Sequence, residues 1–288
     1  MSGIQTNRSN INLPAAVATE ILDKMKGSSA VMQLATETPL PGLGKEIPVI
    51  LGDPQASWVS ETGKKPVSNP ELSKKILRPY KLAVIVPFSM EFKRDVNQLY
   101  SAVIERLPGA LGEKFDATVF GAAAGAPGTD FDTLGAVTGQ SIAGSSVYDA
   151  FADAVTDVAI HGAIANGIAI SPQGIGTVLK SKTTTGQPLF NSAPPPPVPQ
   201  ILSCKTVGAR GAYVAGSGAT PADYAFVGDW TKAVFGTVNG VEISFSDQAT
   251  LTVGDETINL WEQNMVAVRA EIEVGFRALT DCFNKVTA

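Results

Sequence analysis

Two extended arms separated by a polar tip constrain the fold of this chain more than any other feature. The arms are residues 46–59 and 72–88, and residues 60–71 between them contain prolines, lysines, a glycine and an asparagine. Apolar residues alternate with a period of two along the second arm, which is typical of a β-strand. Pro79 and Pro87 cannot donate backbone hydrogen bonds, so they exclude this strand from the centre of a wide sheet. The pattern predicts a two-stranded ribbon with free edges.

Such a ribbon needs support from elsewhere, because an isolated hairpin is only marginally stable in water. At about 3.3 Å per residue, each arm spans on the order of 40 Å. We therefore expect the ribbon to fold back on its own domain or to lie on another molecule. Trp58, followed by Glu61, fits an interface anchor near the tip, and a local contact across the ribbon explains the tryptophan equally well.

A long amphipathic helix is predicted directly after the second arm. Ser89 is a favourable first residue, and Glu91 places a negative charge in the first turn, where the helix dipole favours it. Apolar residues then recur on one helical face, at Phe92, Val96, Leu99, Val103 and Leu107. The helix is expected to reach about residue 121, with a kink or break at Pro108-Gly109, because proline removes a backbone donor.

Periodicity, capping residues and turn residues predict the remaining elements. Helices are expected at residues 14–25, 146–165 and 175–182. Strands are expected at residues 168–170, 212–214, 224–227, 233–238, 241–246 and 258–272. Asn239-Gly240, between two of these strands, predicts a hairpin turn. Because helix, strand and helix alternate over residues 146–182, this part is an α/β or α+β unit.

Composition places the chain among folded globular proteins of one or two domains. It has 288 residues, of which 44% are hydrophobic and 17% charged. The net charge of −5 is uneven, since residues 1–120 hold 14 basic against 12 acidic residues and residues 121–288 hold 8 against 15. No basic patch stands out, which argues against sequence-specific binding of nucleic acid. There is no secretory signal at the amino terminus and no apolar run of 18 residues, so no membrane partner is predicted.

Residues that carry enzyme chemistry are scarce. His161 is the only histidine, so a zinc site or a Ser-His-Asp triad would have to use it. Cys204 and Cys282 lie 78 positions apart and lack metal-ligand spacing, and the glycine-rich stretches fail the phosphate-loop patterns. Asp130 and Asp132 lack the other ligands of a calcium loop. We therefore predict no catalytic residue, no cofactor and no metal.

Four stretches, in this order, resemble the major capsid proteins of tailed phages that have the Hong Kong 97 fold. They are residues 56–63, with the W-V-x-E pattern of the family's ribbon tip; residues 77–91, where the returning arm enters the long helix; residues 168–172 with 185–189; and residues 227–230 with 243–246, 264–269 and 275–276. Each motif alone is weak, but together they span about residues 45–285 in the family's order.

The resemblance implies an α+β fold with a defined division of the chain. Residues 1–44 would form an amino-terminal arm and residues 45–88 an extended β-hairpin loop lying over a neighbour. Residues 89–130 and 240–288 would form a peripheral domain with a long spine helix, and residues 131–239 an axial domain. Unlike the family's type member, the chain shows no long helical scaffolding segment before the arm. If residue 1 is the native start, a separate scaffold or none is expected.

The resemblance also implies a structural function. The chain would assemble with itself, as pentamers and hexamers, into an icosahedral shell around double-stranded DNA bound without sequence specificity. Scaffold, portal and decoration proteins are possible further partners, and the protein would be made and assembled in the host cytoplasm and end in the virion capsid. The residues expected at inter-subunit contacts are Trp58, Glu61, Lys64, Lys65, Tyr80 and Arg269.

Two other functions fit the sequence less well. An encapsulin-like bacterial nanocompartment shares the fold and would package an enzyme instead of DNA, and an α+β enzyme with a dimerising β-arm is a more distant alternative. Lys64-Lys65 and Lys74-Lys75 are most simply solvated charges that protect the ribbon edges from aggregation. The family's type member joins a ribbon lysine to a neighbour's asparagine; Lys64, Lys65, Asn259 and Asn264 supply these residue types, but no motif assigns the roles.

Overall fold

The computed structural model describes most of the chain: residues 15–50, 56–61, 64–65, 67, 72–95, 97–123, 125–143, 146–182, 185–190, 201–218, 220–253 and 256–288. Residues 1–14 of the predicted amino-terminal arm, residues 51–55 of the first ribbon arm and most of residues 62–71 at the ribbon tip lie outside the described residues. The helices within the described part are α1 (Ala15–Ser28), α2 (Ala30–Leu34), α3 (Met90–Asp95), α4 (Asn97–Val119), α5 (Val147–Ile160) and α6 (Pro172–Lys180).

Thirteen strands are assigned within the described residues. They are β1 (Thr36–Glu37), β2 (Lys45–Ile50), β3 (Leu72–Leu77), β4 (Tyr80–Ser89), β5 (Gly139–Ser141), β6 (Gly167–Ile170), β7 (Lys205–Gly208), β8 (Asp223–Gly228), β9 (Ala233–Ser246), β10 (Thr250–Val253), β11 (Glu256–Asn259), β12 (Met265–Ala278) and β13 (Phe283–Thr287). Two sheets, with strand orders β1-β9-β12-β4 and β5-β13-β8-β6-β7, organise the molecule, and β2-β3 and β10-β11 form separate hairpins.

The predicted ribbon divides at Pro79. Only β3 pairs with β2 in the described residues, whereas β4 runs antiparallel to β12 as the outer strand of the first sheet. The prediction of free edges along the whole second arm is therefore wrong beyond Leu77. The physical reason is that the alternating apolar residues of β4, such as Leu82 and Val84, pack against the main core instead of a partner arm. Proline was correctly expected only at an outer position.

The long helix lies across one face of this sheet. Leu107, Leu111, Phe115 and Val119 are buried at spacings of four residues, and α4 packs on β4 and β12. Of the predicted kink or break at Pro108, the break is wrong, because α4 continues through it to Val119, and the kink stays a prediction. Since the apolar face on both sides of the proline packs on the same sheet, tertiary packing outweighs the loss of one backbone hydrogen bond. The stretch begun at Ser89 forms two helices, α3 and α4.

The predicted Asn239-Gly240 hairpin is also wrong, because β9 continues through both residues. Thr237 pairs with Val274 and Val241 with Ile272, so β9 has three residues between positions where β12 has one. Gly240 has φ +74°, a value that suits a bulge as well as a turn. Because both halves of β9 pair with β12, the chain does not reverse direction at Asn239-Gly240. These residues form a bulge instead of a hairpin turn.

The second sheet carries α5 and α6 and has its own apolar core, which includes Phe151, Ile168 and Val227. The Ser146 hydroxyl accepts a hydrogen bond from the amide of Asp149 and caps α5 as predicted. This helix ends at Ile160, before the predicted residue 165, and α6 starts at Pro172, before the predicted residue 175. The stretch predicted as a strand at 212–214 begins in a 3₁₀ turn, and the strand predicted over 258–272 is divided by a turn after β11.

Strands of the two sheets lie on both sides of the predicted domain limits, and the division into peripheral and axial domains stays a prediction. The last strand, β13, pairs with β5 and β8 in the second sheet, although residues 240–288 were assigned to the peripheral part. Conversely, β9 begins at Ala233 in the first sheet, seven residues before the expected boundary at residue 240. The carboxy-terminal strand therefore connects the two cores.

Candidate assembly ribbon and its anchor

The ribbon is a short antiparallel ladder with a buried base. Lys45 pairs with Leu77, and the register continues to Ile50 and Leu72. Leu77 is fully buried, whereas the Lys74–Glu46 ion pair at 2.8 Å is solvent-exposed on both sides. An exposed pair of this kind contributes little to stability. The ribbon is thus held at its base and not by its edges.

The described side chains of the tip face solvent. Trp58 is 103% exposed, so the alternative of a local contact across the ribbon is wrong. Glu61, Lys64 and Lys65 are also exposed. A fully hydrated tryptophan leaves a large apolar surface in water, and its burial against another molecule would be favourable. Each of these four predicted residues is therefore exposed, at or next to the tip in sequence.

Five charged side chains fasten the base of the ribbon to the first sheet. Arg277, on β12, donates to Oδ1 of Asp130 at 2.7 Å and to Oδ1 of Asp132 at 2.9 Å. On the ribbon side, Lys75 Nζ lies 2.8 Å from Oδ2 of Asp132, and Arg78 Nε lies 3.1 Å from Oδ2 of Asp130. The Arg277 side chain is only 11% exposed, so its pairs are screened less than those at the surface. The expectation that Lys75 is a solvated charge is wrong.

Backbone groups complete this anchor. Arg277 Nε donates to the carbonyl of Ile76 at 2.7 Å, and Lys75 Nζ donates to the carbonyl of Ala278 at 2.7 Å. The amide of Ala278 donates to Asp132 at 3.0 Å. Partial burial raises the pKa of Asp132, but the hydrogen bonds from Lys75 and Ala278 and the nearby positive charges outweigh it, so the pKa lies below its usual range. The carboxylate therefore stays ionised and keeps β3 joined to β12.

Tyr80 and Arg269 lie apart from the exposed tip. The Tyr80 hydroxyl accepts a hydrogen bond from the amide of Asp130 at 3.2 Å, and its ring meets the ring of Phe131 edge-on. Tyr80 is therefore occupied within its own chain. Arg269 is exposed on β12, where its Nε lies 3.1 Å from Ser244 Oγ and 3.4 Å from Glu271. The six predicted contact residues do not form one continuous site.

An apolar groove opens beside Tyr80, between α4 and the start of β4. Its volume is about 250 Å³, and the buried side chains of Phe115, Phe131 and Val274 contribute to its lining. Lys81 and Lys114 also line it, and both are exposed. The groove thus combines an apolar floor with positive charge at its margin.

Asp116 is a functional candidate that the sequence analysis did not select. It is fully buried on α4 and accepts hydrogen bonds from the Ser29 hydroxyl at 2.5 Å, the Ala30 amide at 2.7 Å and the Val31 amide at 3.3 Å. These donors lie at the start of α2, so the carboxyl ties the amino-terminal helices to α4. Burial raises its pKa to about 7, although the hydrogen bonds oppose the shift. In the sequence, the only indication that Asp116 is buried is its position next to Phe115, at the margin of the apolar face of the helix.

Groups suited to catalysis are dispersed. His161 is exposed and its Nδ1 lies 2.9 Å from the carbonyl of Asp157, while Cys204 and Cys282 are free thiols. Among the described residues, no three histidine, cysteine, aspartate or glutamate side chains lie close enough to hold a metal ion. None of the described helices is both long and apolar enough to cross a membrane.

Comparison with known proteins shows that the sequence is similar to phage capsid proteins. Residues 10–281 match the model of the phage capsid family. The chain is 27% identical over 277 residues to the probable major capsid protein gp17 of Mycobacterium phage L5, covering 90% of this chain and 84% of that protein. It is 26% identical over 277 residues to the major capsid protein of Staphylococcus phage 80alpha, covering 91% of this chain and 80% of that protein.

Solved structures agree at the level of the fold. A chain from Mycobacterium phage Adephagia superposes with a TM-score of 0.71 at 23% identity, over 90% of each chain. The capsid of an empty GTA particle gives a TM-score of 0.63 at 15% identity, over 96% of this chain and 99% of that one. These likenesses confirm the predicted α+β fold of the Hong Kong 97 type. Since the family model covers almost the whole sequence, the chain belongs to the phage capsid family.

Proposed function

We propose that this chain is the major capsid protein of a tailed phage and that its copies build an icosahedral shell around double-stranded DNA. The observation that carries the proposal is the anchored ribbon with an exposed Trp58, in a chain whose relatives are named as capsid proteins. A ribbon held at one end presents its tip to a neighbouring copy. Such head-to-tail contacts close into rings and shells when each copy is rotated against the last.

The role is structural. Many weak contacts acting together hold a shell, so no single surface needs high affinity. In this proposal the part built on the first sheet is peripheral, and the part built on the second sheet meets its copies around five-fold and six-fold axes. The named relatives are phage capsid proteins, which favours a shell for DNA over a nanocompartment that packages an enzyme.

The predicted contact residues have different parts in this proposal. Trp58, Glu61, Lys64 and Lys65 touch a neighbour directly because they are exposed at the tip. Tyr80 acts within its own chain, through Asp130 and the base of the ribbon. Arg269 is exposed on the first sheet and contacts another copy there. Scaffold, portal and decoration proteins are further partners in the host cytoplasm, where the shell is assembled before it becomes the virion capsid.

Deleting residues 60–71 tests the proposal. The deletion leaves β2 and β3 intact, so we expect a folded subunit with an unchanged circular dichroism spectrum that builds no stable shell. Sedimentation and negative-stain electron microscopy of the full chain and of the deletion variant give the comparison, and nuclease-resistant DNA in shells from infected cells identifies the cargo. Shells of normal number and size from the deletion variant would show that the ribbon does not drive assembly.

A further inference from the structure

We propose that Asn239 is a site of spontaneous deamidation, at which the side-chain amide is converted to a carboxylate while the chain stays folded. Asparagine is among the thermolabile residue types. A glycine after it favours the reaction, because no Cβ shields the backbone nitrogen that attacks the side chain. The sequence contains two such dipeptides, Asn166-Gly167 and Asn239-Gly240. Their local chemistry is the same, and the fold places them in opposite environments.

The reaction needs only water and the two residues themselves. The backbone nitrogen of Gly240 attacks Cγ of Asn239, so that an N–Cγ bond forms, the Cγ–Nδ2 bond breaks and ammonia leaves with the proton of the backbone amide. Water then opens the resulting succinimide ring at either of its carbonyl groups. One opening gives aspartate, and the other gives isoaspartate, in which the main chain runs through the former side chain and is longer by one methylene. No oxidant, reductant or cofactor takes part.

The backbone around Asn239 leaves room for the ring to form. β9 has three residues, 238–240, between positions where β12 has one, so Asn239 and Gly240 have no partner in the strand register. Gly240 has φ +74°, and a Cβ placed there would meet only Leu22, at 3.8 Å. Asn239 is exposed, and within the described residues no side-chain hydrogen bond holds it. The amide can therefore turn towards the following nitrogen without breaking a contact of its own.

Asn166 is held at both ends of its side-chain amide. Its Nδ2 donates to Oδ1 of Asp229 at 3.0 Å, and its Oδ1 accepts from the amide of Trp230 at 3.0 Å. The following Gly167 is buried in β6, which pairs with β7 on one side and β8 on the other. Forming a succinimide here would break both hydrogen bonds and distort an inner strand of the second sheet. The fold therefore protects Asn166.

The new carboxylate at position 239 enters an acidic depression. Asn239 lines a polar cavity of about 200 Å³ together with Lys81, Glu242, Glu271 and Glu273. Glu242 and Glu271 are direct cross-strand partners, and Lys81 pairs with Glu273 at 3.2 Å. Like charges directly opposite each other on a sheet are destabilising. A further carboxylate increases this repulsion, and isoaspartate also lengthens the bulge, so the modification weakens the subunit.

Mass spectrometry of the full chain tests the inference. The purified protein is incubated in mildly alkaline buffer below its unfolding temperature and is digested at acidic pH, where deamidation is slow. Conversion at each asparagine is followed over time on the peptides, and isoaspartate is identified by enzymatic methylation. We expect Asn239 to react about tenfold faster than Asn166 or more, because two hydrogen bonds must break before Asn166 can react.

The same incubation in guanidinium chloride is the matched control, because it removes the fold and keeps the sequence. Both asparagines should then react at similar rates, since each is followed by glycine. If the native protein shows the same ratio of rates as the denatured chain, the fold does not distinguish the two sites and the inference is overturned. An Asn239 that reacts in denaturant and stays unchanged in the native protein would overturn it as well.

Two variants test the effect of the added charge. Asn239→Asp carries the charge of the product without lengthening the chain, and Asn239→Gln keeps an amide that cyclises more slowly. At low salt, we expect the urea midpoint of Asn239→Asp to lie below that of Asn239→Gln. The difference should shrink at high salt, because repulsion from Glu242 and Glu271 is then screened. Equal midpoints at low salt would show that the depression does not resist the product carboxylate.

Discussion

At the scale of single residues, Asp116 is the least expected feature of the molecule. A carboxyl group with no solvent exposure accepts three hydrogen bonds from the start of α2, and Glu113, one turn earlier, adds negative charge. Burial disfavours the charged form more than the donors favour it, so the pKa rises to about 7. Folding therefore makes Asp116 hold a proton that the unfolded chain releases near pH 4.

This shift predicts a pH-dependent stability. Between roughly pH 4 and pH 7 the unfolded chain has lost the Asp116 proton and the folded chain retains it, so unfolding releases a proton and stability falls as pH rises. The contribution is fully present below about pH 4 and is lost as pH passes about 7, and its size is on the order of 4 kcal/mol. Urea unfolding of unassembled subunits at several pH values measures it.

Asp116→Asn is the matched comparison, because the amide keeps an acceptor and the volume but cannot ionise. As the pH rises from roughly 4 to 7, we expect the free energy of unfolding of the native chain to decrease relative to that of Asp116→Asn. All other titrating groups are shared and cancel in the difference. Parallel stability profiles for the two proteins would mean that Asp116 ionises normally in the folded chain.

Single residues also mark a limit of sequence reasoning. Trp58 was selected because an aromatic residue near a polar tip is visible in the sequence; the structure shows that its side chain is exposed, and its role at an inter-subunit contact stays a prediction. Asp130 and Asp132 were dismissed as an incomplete calcium loop, and their partner Arg277 lies about 145 positions away. No local pattern reports a pairing across such a separation.

At the scale of elements, the ribbon is defined by where its two strands stop pairing. Alternation and the two prolines predicted a strand outside the centre of a sheet, and β4 is such a strand. The same pattern could not distinguish a free arm from the outer strand of a sheet, because both have one apolar face. The Asn239-Gly240 signal failed for a related reason, since only the common partner β12 shows that β9 does not reverse.

The anchor predicts that Arg277 stabilises the subunit and fixes the ribbon. Arg277→Met removes the guanidinium that bridges the carboxylates of Asp130 and Asp132, which keep only Lys75 and Arg78 as positively charged partners. We expect a loss of about 2–4 kcal/mol in the free energy of unfolding, since a partly buried charge network is broken. Urea unfolding of the subunit measures this loss, and hydrogen exchange of the β3 amides should quicken.

Lys74→Ala is the matched control on the same strand. Its ion pair with Glu46 is exposed on both sides, so the expected change is about 0.5 kcal/mol or less. Equal losses for Arg277→Met and Lys74→Ala would contradict the anchor. Arg277→Lys should recover the charge but not the paired geometry, and it should lie between the native chain and Arg277→Met.

At the scale of the whole molecule, the order of motifs identified the fold although several element boundaries were wrong. Motif order depends on chain topology, and TM-scores near 0.7 with structures about one fifth identical show that topology persists when sequence does not. The predicted bounds of elements were wrong where long-range pairing decides them, as in β9. The last strand, β13, pairs with β8 in the second sheet, where Val286 is buried in the second core and Phe283 in the main core, and nothing in the local sequence indicates these partners.

Because the ribbon is anchored at its base and exposed at its tip, we expect a neighbouring copy to cover the tip in the assembled shell. Tryptophan fluorescence can measure the burial of Trp58. Trp230 is 1% exposed, whereas Trp58 and Trp261 are 103% and 70% exposed. In a Trp261→Phe background, Trp58 is the only exposed tryptophan. Upon assembly we expect its emission to move to shorter wavelength and acrylamide quenching to fall towards that of a buried indole, because a neighbour removes it from water.

A further Trp58→Phe change leaves only Trp230 and should abolish the difference between subunits and shells. Shells in which Trp58 is quenched as readily as in free subunits would mean that the tip stays in solvent and that assembly relies on other surfaces.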